Sequence, residues 1–386
     1  MATTGTITMA RGVLDAVHRL APAIAARAGE TEAARRVPPD LLDDLRAAGV
    51  FRMLRPPSYG GMGADLLEAM DVFEALSRAD ASVGWTCMIG AGSWRDIAGL
   101  PRAGFDEIFA DAPDAITAGV FNPTGAIAAD GDAYRVTGRW SFASGCEHAD
   151  WLYGNCVEGI DDGVPRLRIA AFAPDQVTIE DTWNVSGLCG TGSHHFRVDA
   201  ARVPAARTTA PLTDPPCLDV PFVRVPPPSL FALAIAAVAL GIARGALDDL
   251  VALAPDKVPL LDHRPLAANP TFQLALATAD TDLAAARALV RETAGAAWET
   301  AVEAGEPTPH ATARTRAAAV WAVERAADVV RAAHRAAGGG AIHLSSPIGR
   351  RLRDVTALGQ HFLVRQDTLT TAGALLAGQA IDVPVF

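Results

Sequence analysis

Apolar positions recur at two different spacings along this chain, and the change of spacing divides it in three. Over residues 12–109 they fall three and four apart, as one buried helix face requires. Leu41, Leu42, Leu45 and Val50 follow that rule behind a Pro38-Pro39-Asp40 start, and residues 64–77 and 81–100 repeat it. Over residues 115–207 the runs become short and alternating: Tyr134-Arg135-Val136, Trp151-Leu152-Tyr153, Leu167-Arg168-Ile169-Ala170-Ala171-Phe172 and His195-Phe196-Arg197-Val198. Asp130-Gly131-Asp132 and Asp161-Asp162-Gly163 supply turns between them. A connector with Pro215-Pro216 and Pro226-Pro227-Pro228 follows. Four helical patterns then cover residues 229–254, 269–304, 308–337 and 350–378, with Gly338-Gly339-Gly340 separating the last two. The pattern predicts an α+β chain. Residues 1–112 form a helical domain, 113–215 a small antiparallel barrel or sandwich, and 225–386 an up-and-down four-helix bundle.

Composition narrows the possible functions. Half of the 386 residues are apolar and a fifth are charged, as in globular proteins. A net charge of −11 argues against nucleic acid, which needs a basic face. The apolar run at 230–242 is too short to span a bilayer and is followed by Arg244. No apolar signal core opens the chain. Five cysteines without CxxC spacing argue against a disulfide framework and for the cytoplasm. His194-His195 lack carboxylate or cysteine partners at ligand spacing, so no metal site is expected.

Four segments carry candidate chemistry: Tyr59-Gly60-Gly61-Met62-Gly63, Gly138-Arg139-Trp140-Ser141-Phe142-Ala143-Ser144-Gly145, Gly187-Leu188-Cys189-Gly190-Thr191-Gly192-Ser193 and Ser345-Ser346-Pro347-Ile348-Gly349-Arg350-Arg351-Leu352-Arg353-Asp354. In a strand, Trp140, Phe142 and Ser144 share one face. Two aromatics and a hydroxyl there suit a planar heterocycle, although the aromatics equally suit a barrel core. The Gly187–Ser193 stretch permits a tight loop. His361 falls two turns inside the last helical pattern.

Together and in this order the segments resemble the acyl-CoA dehydrogenase superfamily, over residues 12–378. Where the dehydrogenases place Tyr-Glu-Gly-Thr, with Glu as base, this chain has His361-Phe362-Leu363-Val364. A phenylalanine takes no proton. The ending therefore resembles the flavin-dependent monooxygenases built on the dehydrogenase fold. That resemblance implies reduced FMN or FAD, O2, and a hydroperoxide at ring carbon C4a held by His361, with Ser144 near N5. Ser93 stands eight residues after Trp85, where relatives often carry a histidine, as a weaker donor. Val120, Phe121, Asn122, Trp140, Phe142 and Ser144 are the implied ring contacts. Gly338 and Gly339, with His334 or Arg335, are the implied contacts to a neighbouring subunit's flavin. Trp85, Trp94, Cys189 and Phe362 are the implied pocket residues, with Cys189 replacing a common family arginine. Arg353 and Asp354 are expected to pair near a subunit interface. The products would be hydroxylated aromatic or polyketide-like rings, or oxidised amines or sulfur centres. No Gly-x-Gly-x-x-Gly follows an early strand, so the reduced flavin would come from a separate reductase. A homotetramer or homodimer is implied. Two other readings stay open: a dehydrogenase with a displaced base such as Glu68 or Asp367, and a non-catalytic flavin-binding protein.

Overall fold

Side-chain caps set two of the helix starts in the N-terminal layer. The computed structural model describes residues 3–260, 262–379 and 381. Its first helices are α1 (Thr3–Ala26), α2 (Ala28–Ala34), α3 (Pro39–Ala47), α4 (Leu66–Ala79), α5 (Ala81–Gly92) and α6 (Arg102–Phe109). At α4, Asp65 accepts from the Glu68 N–H at 2.7 Å while Glu68 accepts from the Asp65 N–H at 3.1 Å. Asp80 ends α4 and caps α5, accepting from the Val83 N–H at 2.9 Å. Helix α5 is buried on almost every side, because it runs between the other helices and the sheet.

The middle of the chain is one seven-stranded sheet: β1 (Thr117–Asp130), β2 (Ala133–Trp140), β3 (Trp151–Asp161), β4 (Val164–Phe172), β5 (Thr178–Glu180), β6 (His195–Pro204) and β7 (Thr208–Thr209). The order is β5-β6-β2-β1-β3-β4-β7. The antiparallel expectation holds at every pair except β1–β3, which is parallel from Thr117↔Trp151 onward. The exception arises because residues 141–150 hop across the start of β1, so β3 re-enters in β1's direction. The sheet is strongly curled. Phe172 on β4 and Phe196 on β6 have centroids 6.3 Å apart, whereas four strand spacings in a flat sheet would put them roughly 19 Å apart. Trp140 fills the interior, stacked on Phe196 at 4.9 Å, with its Nε1–H donating to the Asn155 carbonyl at 2.8 Å. A Cβ on Gly125, Gly138 or Gly154 would fall 2.3, 2.5 or 2.4 Å from the indole. These glycines form its slot.

Trp140, Phe142 and Ser144 therefore do not share a face. Strand β2 ends at Trp140, which is fully buried. Phe142 then adopts a left-handed backbone, φ 68°, and is 69% exposed.

The C-terminal layer holds α7 (Pro221–Arg224), α8 (Pro227–Leu253), α9 (Pro270–Val302), α10 (Pro309–Ala337), α11 (Pro347–Leu358) and α12 (Thr368–Leu376). Each begins with proline at the first helical turn, except α12. Helix α8 is long and apolar enough to cross a membrane, yet 89% of its most apolar window is buried inside the protein. It packs against α4, α10 and α11 as the core helix. The single helix expected over 350–378 is instead two. Helix α11 stops at Gly359, a 3-10 turn spans Phe362–Val364, and His361 caps that turn rather than lying inside a helix.

Substituting Gly154→Ala would drive a methyl into the Trp140 indole. We expect a loss of about 2 kcal/mol, in the range of overpacked cores, measured by urea denaturation. An unchanged midpoint would contradict the slot.

Candidate active site

Trp85 on α5 is 95% buried and makes the contact on which the site is built. Its Nε1–H donates to the Ser144 hydroxyl at 2.9 Å. Its ring meets His361 edge-on, with centroids 5.6 Å apart. The two residues singled out for oxygen chemistry, 217 positions apart in sequence, thus converge on one indole.

Ser144 is placed by a doubly pinned loop. The Ala143 N–H donates to the His194 carbonyl at 3.0 Å and the Gly145 N–H to the Thr191 carbonyl at 2.8 Å. From Ser144 a run of hydroxyls leads inward. Ser144 Oγ lies 2.8 Å from Ser193 Oγ, which lies 2.7 Å from Thr191 Oγ1, and Thr191 donates to the Leu188 carbonyl at 2.8 Å. That carbonyl also accepts from Trp183 Nε1–H at 3.1 Å. The Leu188 N–H donates to Asp354 Oδ1 on α11 at 2.7 Å. Gly187 is required beside it, since a Cβ there would fall 2.1 Å from the Arg353 carbonyl oxygen. Leu188 itself has φ 53°. Two non-glycine residues in the left-handed region, Phe142 and Leu188, therefore flank the hydroxyl run.

His361 is held as a neutral donor. Its Nδ1 accepts from the Leu363 N–H at 3.3 Å, which leaves the ring proton on Nε2. Burial pushes its pKa down to about 4. Phe362 stacks on it at 4.9 Å and is 60% exposed. Phe142 stands edge-on to Trp183 at 6.1 Å and to His195 at 6.0 Å. Trp183, Thr191 and Ser193 escaped the sequence reading. Their signal was a tryptophan and two hydroxyls bracketing a glycine-rich loop.

Other expected residues lie elsewhere. Trp140 is in the sheet interior. Trp94 is fully buried, stacked on Phe222 at 5.0 Å. Ser93 donates to the Thr117 carbonyl at 2.7 Å, inside the core rather than toward Trp85. Val120, Phe121 and Asn122 sit where β1 breaks register, and Asn155 Nδ2 fixes the Phe121 carbonyl at 2.9 Å. Cys189 turns its Sγ to the Val185 carbonyl, 3.1 Å away. His334 and Arg335 occupy the last turn of α10, ahead of Gly338 with φ 66° and Gly339. Lys257 caps that helix at the Ala337 carbonyl. Arg353 and Asp354 do not pair. Arg353 joins Glu32 of α2, while Asp354 turns inward to Leu188. Glu68 is committed to the α4 cap and Asp367 to Arg365 at 2.7 Å, so neither is a free base. Among the described residues, no three His, Cys, Asp or Glu side chains converge as metal ligands.

A flavin fits these residues. Large apolar rings at Phe142 and Phe362 are exposed and available to a planar ring, and the Trp85 indole joins the Ser144 hydroxyl to His361, on which Phe362 stacks. Family models agree. Residues 10–98 match the acyl-CoA dehydrogenase N-terminal domain and 233–366 the acyl-CoA dehydrogenase C-terminal domain. An indole-3-acetate monooxygenase from Pseudomonas putida is 33% identical over 92% of this chain and 90% of its own length. The chain belongs to the acyl-CoA dehydrogenase superfamily, on its flavin-dependent monooxygenase branch. The oxygenase component of an FADH2-dependent resorcinol hydroxylase from Rhizobium sp. (strain MTP-10005) is 31% identical, covering 89% of this chain and 88% of its own. The solved structure of XiaF from Streptomyces sp., in complex with FADH2 and glycerol, superposes with a TM-score of 0.91 at 25% identity, covering 99% of this chain and 98% of that one.

In this monooxygenase the loop clamp is itself titratable. Burial, with Asp80 nearby, pushes the Asp354 carboxyl up to about 7. A raised pKa means the fold prefers the protonated form, so this group's contribution to stability is lost as pH rises through about 7. Asp354→Asn keeps an acceptor for the Leu188 N–H and never ionises. Its melting temperature relative to the parent should therefore rise between pH 6 and pH 9. Asp354→Ala should cost about 1–3 kcal/mol at either pH, by leaving a buried N–H unpaired. Thermal melts across pH check both; a relative loss for Asp354→Asn on going to pH 9 contradicts the assignment.

Proposed function

We propose that this chain is the oxygenase component that hydroxylates a small aromatic ring, taking reduced FMN or FAD by diffusion from a separate reductase in the cytoplasm. The observation that carries the reading is the convergence of Ser144 and His361 on Trp85, beside exposed Phe142 and Phe362. Reduced flavin, when bound, supplies the electrons that let O2 deliver one oxygen atom to the substrate. The protein's own part is to position and to keep dry. Phe142 and the Phe121 strand offer packing and backbone polarity to the ring. Ser144 meets its polar edge. His361 presents Nε2–H as a neutral donor, and among the described residues burial, not a carboxylate, sets its titration. Phe362, in the dehydrogenase base position, contributes an apolar wall and no base, which disfavours acyl-CoA oxidation. The relatives named for indole-3-acetate and resorcinol favour an aromatic substrate over an amine or sulfur one.

A second copy of the chain completes this picture. Lys257 ties the 255–265 segment to the end of α10. Val258 and Leu260 in that segment, and Ile342 and Leu344 just beyond the helix, are exposed. A homodimer or homotetramer that covers them brings Gly338, Gly339, His334 and Arg335 to a neighbour's flavin phosphates.

Supplied with chemically reduced flavin, O2 and an aromatic substrate, His361→Ala should fold and bind flavin. Product should fall about 10²–10⁴-fold, the usual cost of one positioned donor, with hydrogen peroxide released instead. Because His361 stays neutral down to about pH 4, the parent's ratio of product to peroxide should show no histidine inflection between pH 5.5 and 8. Quantifying both species decides the matter. Unchanged coupling in the variant would return His361 to a structural role.

A further inference from the structure

The hydroxyl run behind Ser144 has a direction, and the direction is fixed at both ends by groups that cannot reverse. At one end Trp85 Nε1–H only donates, and it donates to Ser144 at 2.9 Å. At the other the Leu188 carbonyl only accepts, and it takes the Thr191 proton at 2.8 Å. Between them lie three hydroxyls, each with one proton and two lone pairs. Thr191 has spent its proton on Leu188, so the 2.7 Å bond to Ser193 requires the Ser193 proton. Ser193 has then spent its own, so the 2.8 Å bond to Ser144 requires the Ser144 proton. Three protons serve three bonds, and any other arrangement loses one. All three side chains are at least nine-tenths buried, so water does not replace a lost bond cheaply.

One position remains on Ser144. Its proton goes to Ser193 and one lone pair to Trp85, which leaves a single lone pair. Ser144 therefore meets a bound molecule as an acceptor. Isoalloxazine changes sign at this point of its chemistry: N5 bears a hydrogen when the ring is reduced and only a lone pair when it is oxidised. We infer that Ser193 and Thr191 are positioning residues: through the Trp85–Ser144–Ser193–Thr191–Leu188 run they hold Ser144 as an acceptor, and so set how strongly the site prefers the reduced ring. The inference rests on the flavin reading above and adds residues outside the expected set. It also gives a reason for the exchange such an enzyme needs: reduced ring arrives and oxidised ring leaves.

Selectivity is measured without turnover, by anaerobic titration of dithionite-reduced and of oxidised FMN and FAD. The parent should bind the reduced form at least about tenfold more tightly, the worth of one hydrogen bond won or left unmade. By linkage a tenfold preference raises the bound two-electron potential by about 30 mV. Ser193→Ala frees the Ser144 proton to face the ligand. Thr191→Val frees the Ser193 proton to turn back to Ser144, with the same result. Both should shrink the preference about tenfold and lower the bound potential toward that of free flavin. Ser193→Thr, which keeps the hydroxyl, should retain the parent's values. Circular dichroism confirms folding, and Thr191→Val, nearly isosteric, carries the test if Ser193→Ala does not fold. A parent that binds both forms equally, or variants that keep the full preference, overturns the inference and leaves the flavin reading intact. Failure of the parent to bind either form overturns both.

Discussion

The Trp85 indole is the joint between layers. It belongs to a helix buried on nearly all sides, so its position is set by the helical core rather than by the site. From there it makes one polar contact to the sheet layer at Ser144 and one ring contact to the bundle layer at His361. Ser144 lies in a crossover between strands, and His361 caps a turn between α11 and α12. A smaller side chain at 85 would remove the contact that both catalytic candidates share, leaving the longer path through Leu188 and Asp354 to fix their separation. A buried indole N–H also demands an acceptor, so packing of the helical core and orientation of the hydroxyl are one constraint.

A second tie closes the same triangle from behind. Asp354 on α11 fixes the Leu188 N–H, and the Leu188 carbonyl terminates the hydroxyl run. The bundle thus holds both His361 and the far end of the Ser144 network. Two of the non-glycine residues with positive φ, Phe142 and Leu188, lie in this scaffold. The left-handed turn at Phe142 lifts its phenyl out of the sheet, and the turn at Leu188 points its N–H and carbonyl at opposite partners.

Much of this was legible in the sequence. The helical, β and helical order of the fold followed from periodicity, and Ser144 and His361 were singled out by the family resemblance that four short motifs carry. What escaped was local geometry. Alternation put Trp140, Phe142 and Ser144 on one face, but period two holds only while the strand lasts, and β2 ends at Trp140. Helical spacing carried His361 into a long helix, because one glycine at 359 is a weak stop signal by itself. Arg353 and Asp354 read as a pair since neighbours of opposite charge attract. On a helix, however, adjacent residues point about 100° apart, and each found a different partner. Thr191 and Ser193 were hidden inside a motif read for its glycines. Their role depends on a Ser144 hydroxyl 49 residues away, which no local pattern reports.

The central claim is that Ser144 and His361 address one bound ring through Trp85. An anaerobic crystal structure with reduced flavin tests it most directly. The ring system should lie against Phe142, with Ser144 Oγ within hydrogen-bond distance of a ring N–H and His361 on the same ring. A flavin seated elsewhere, or one that meets only one of the two residues while Trp85 keeps both contacts, would contradict it.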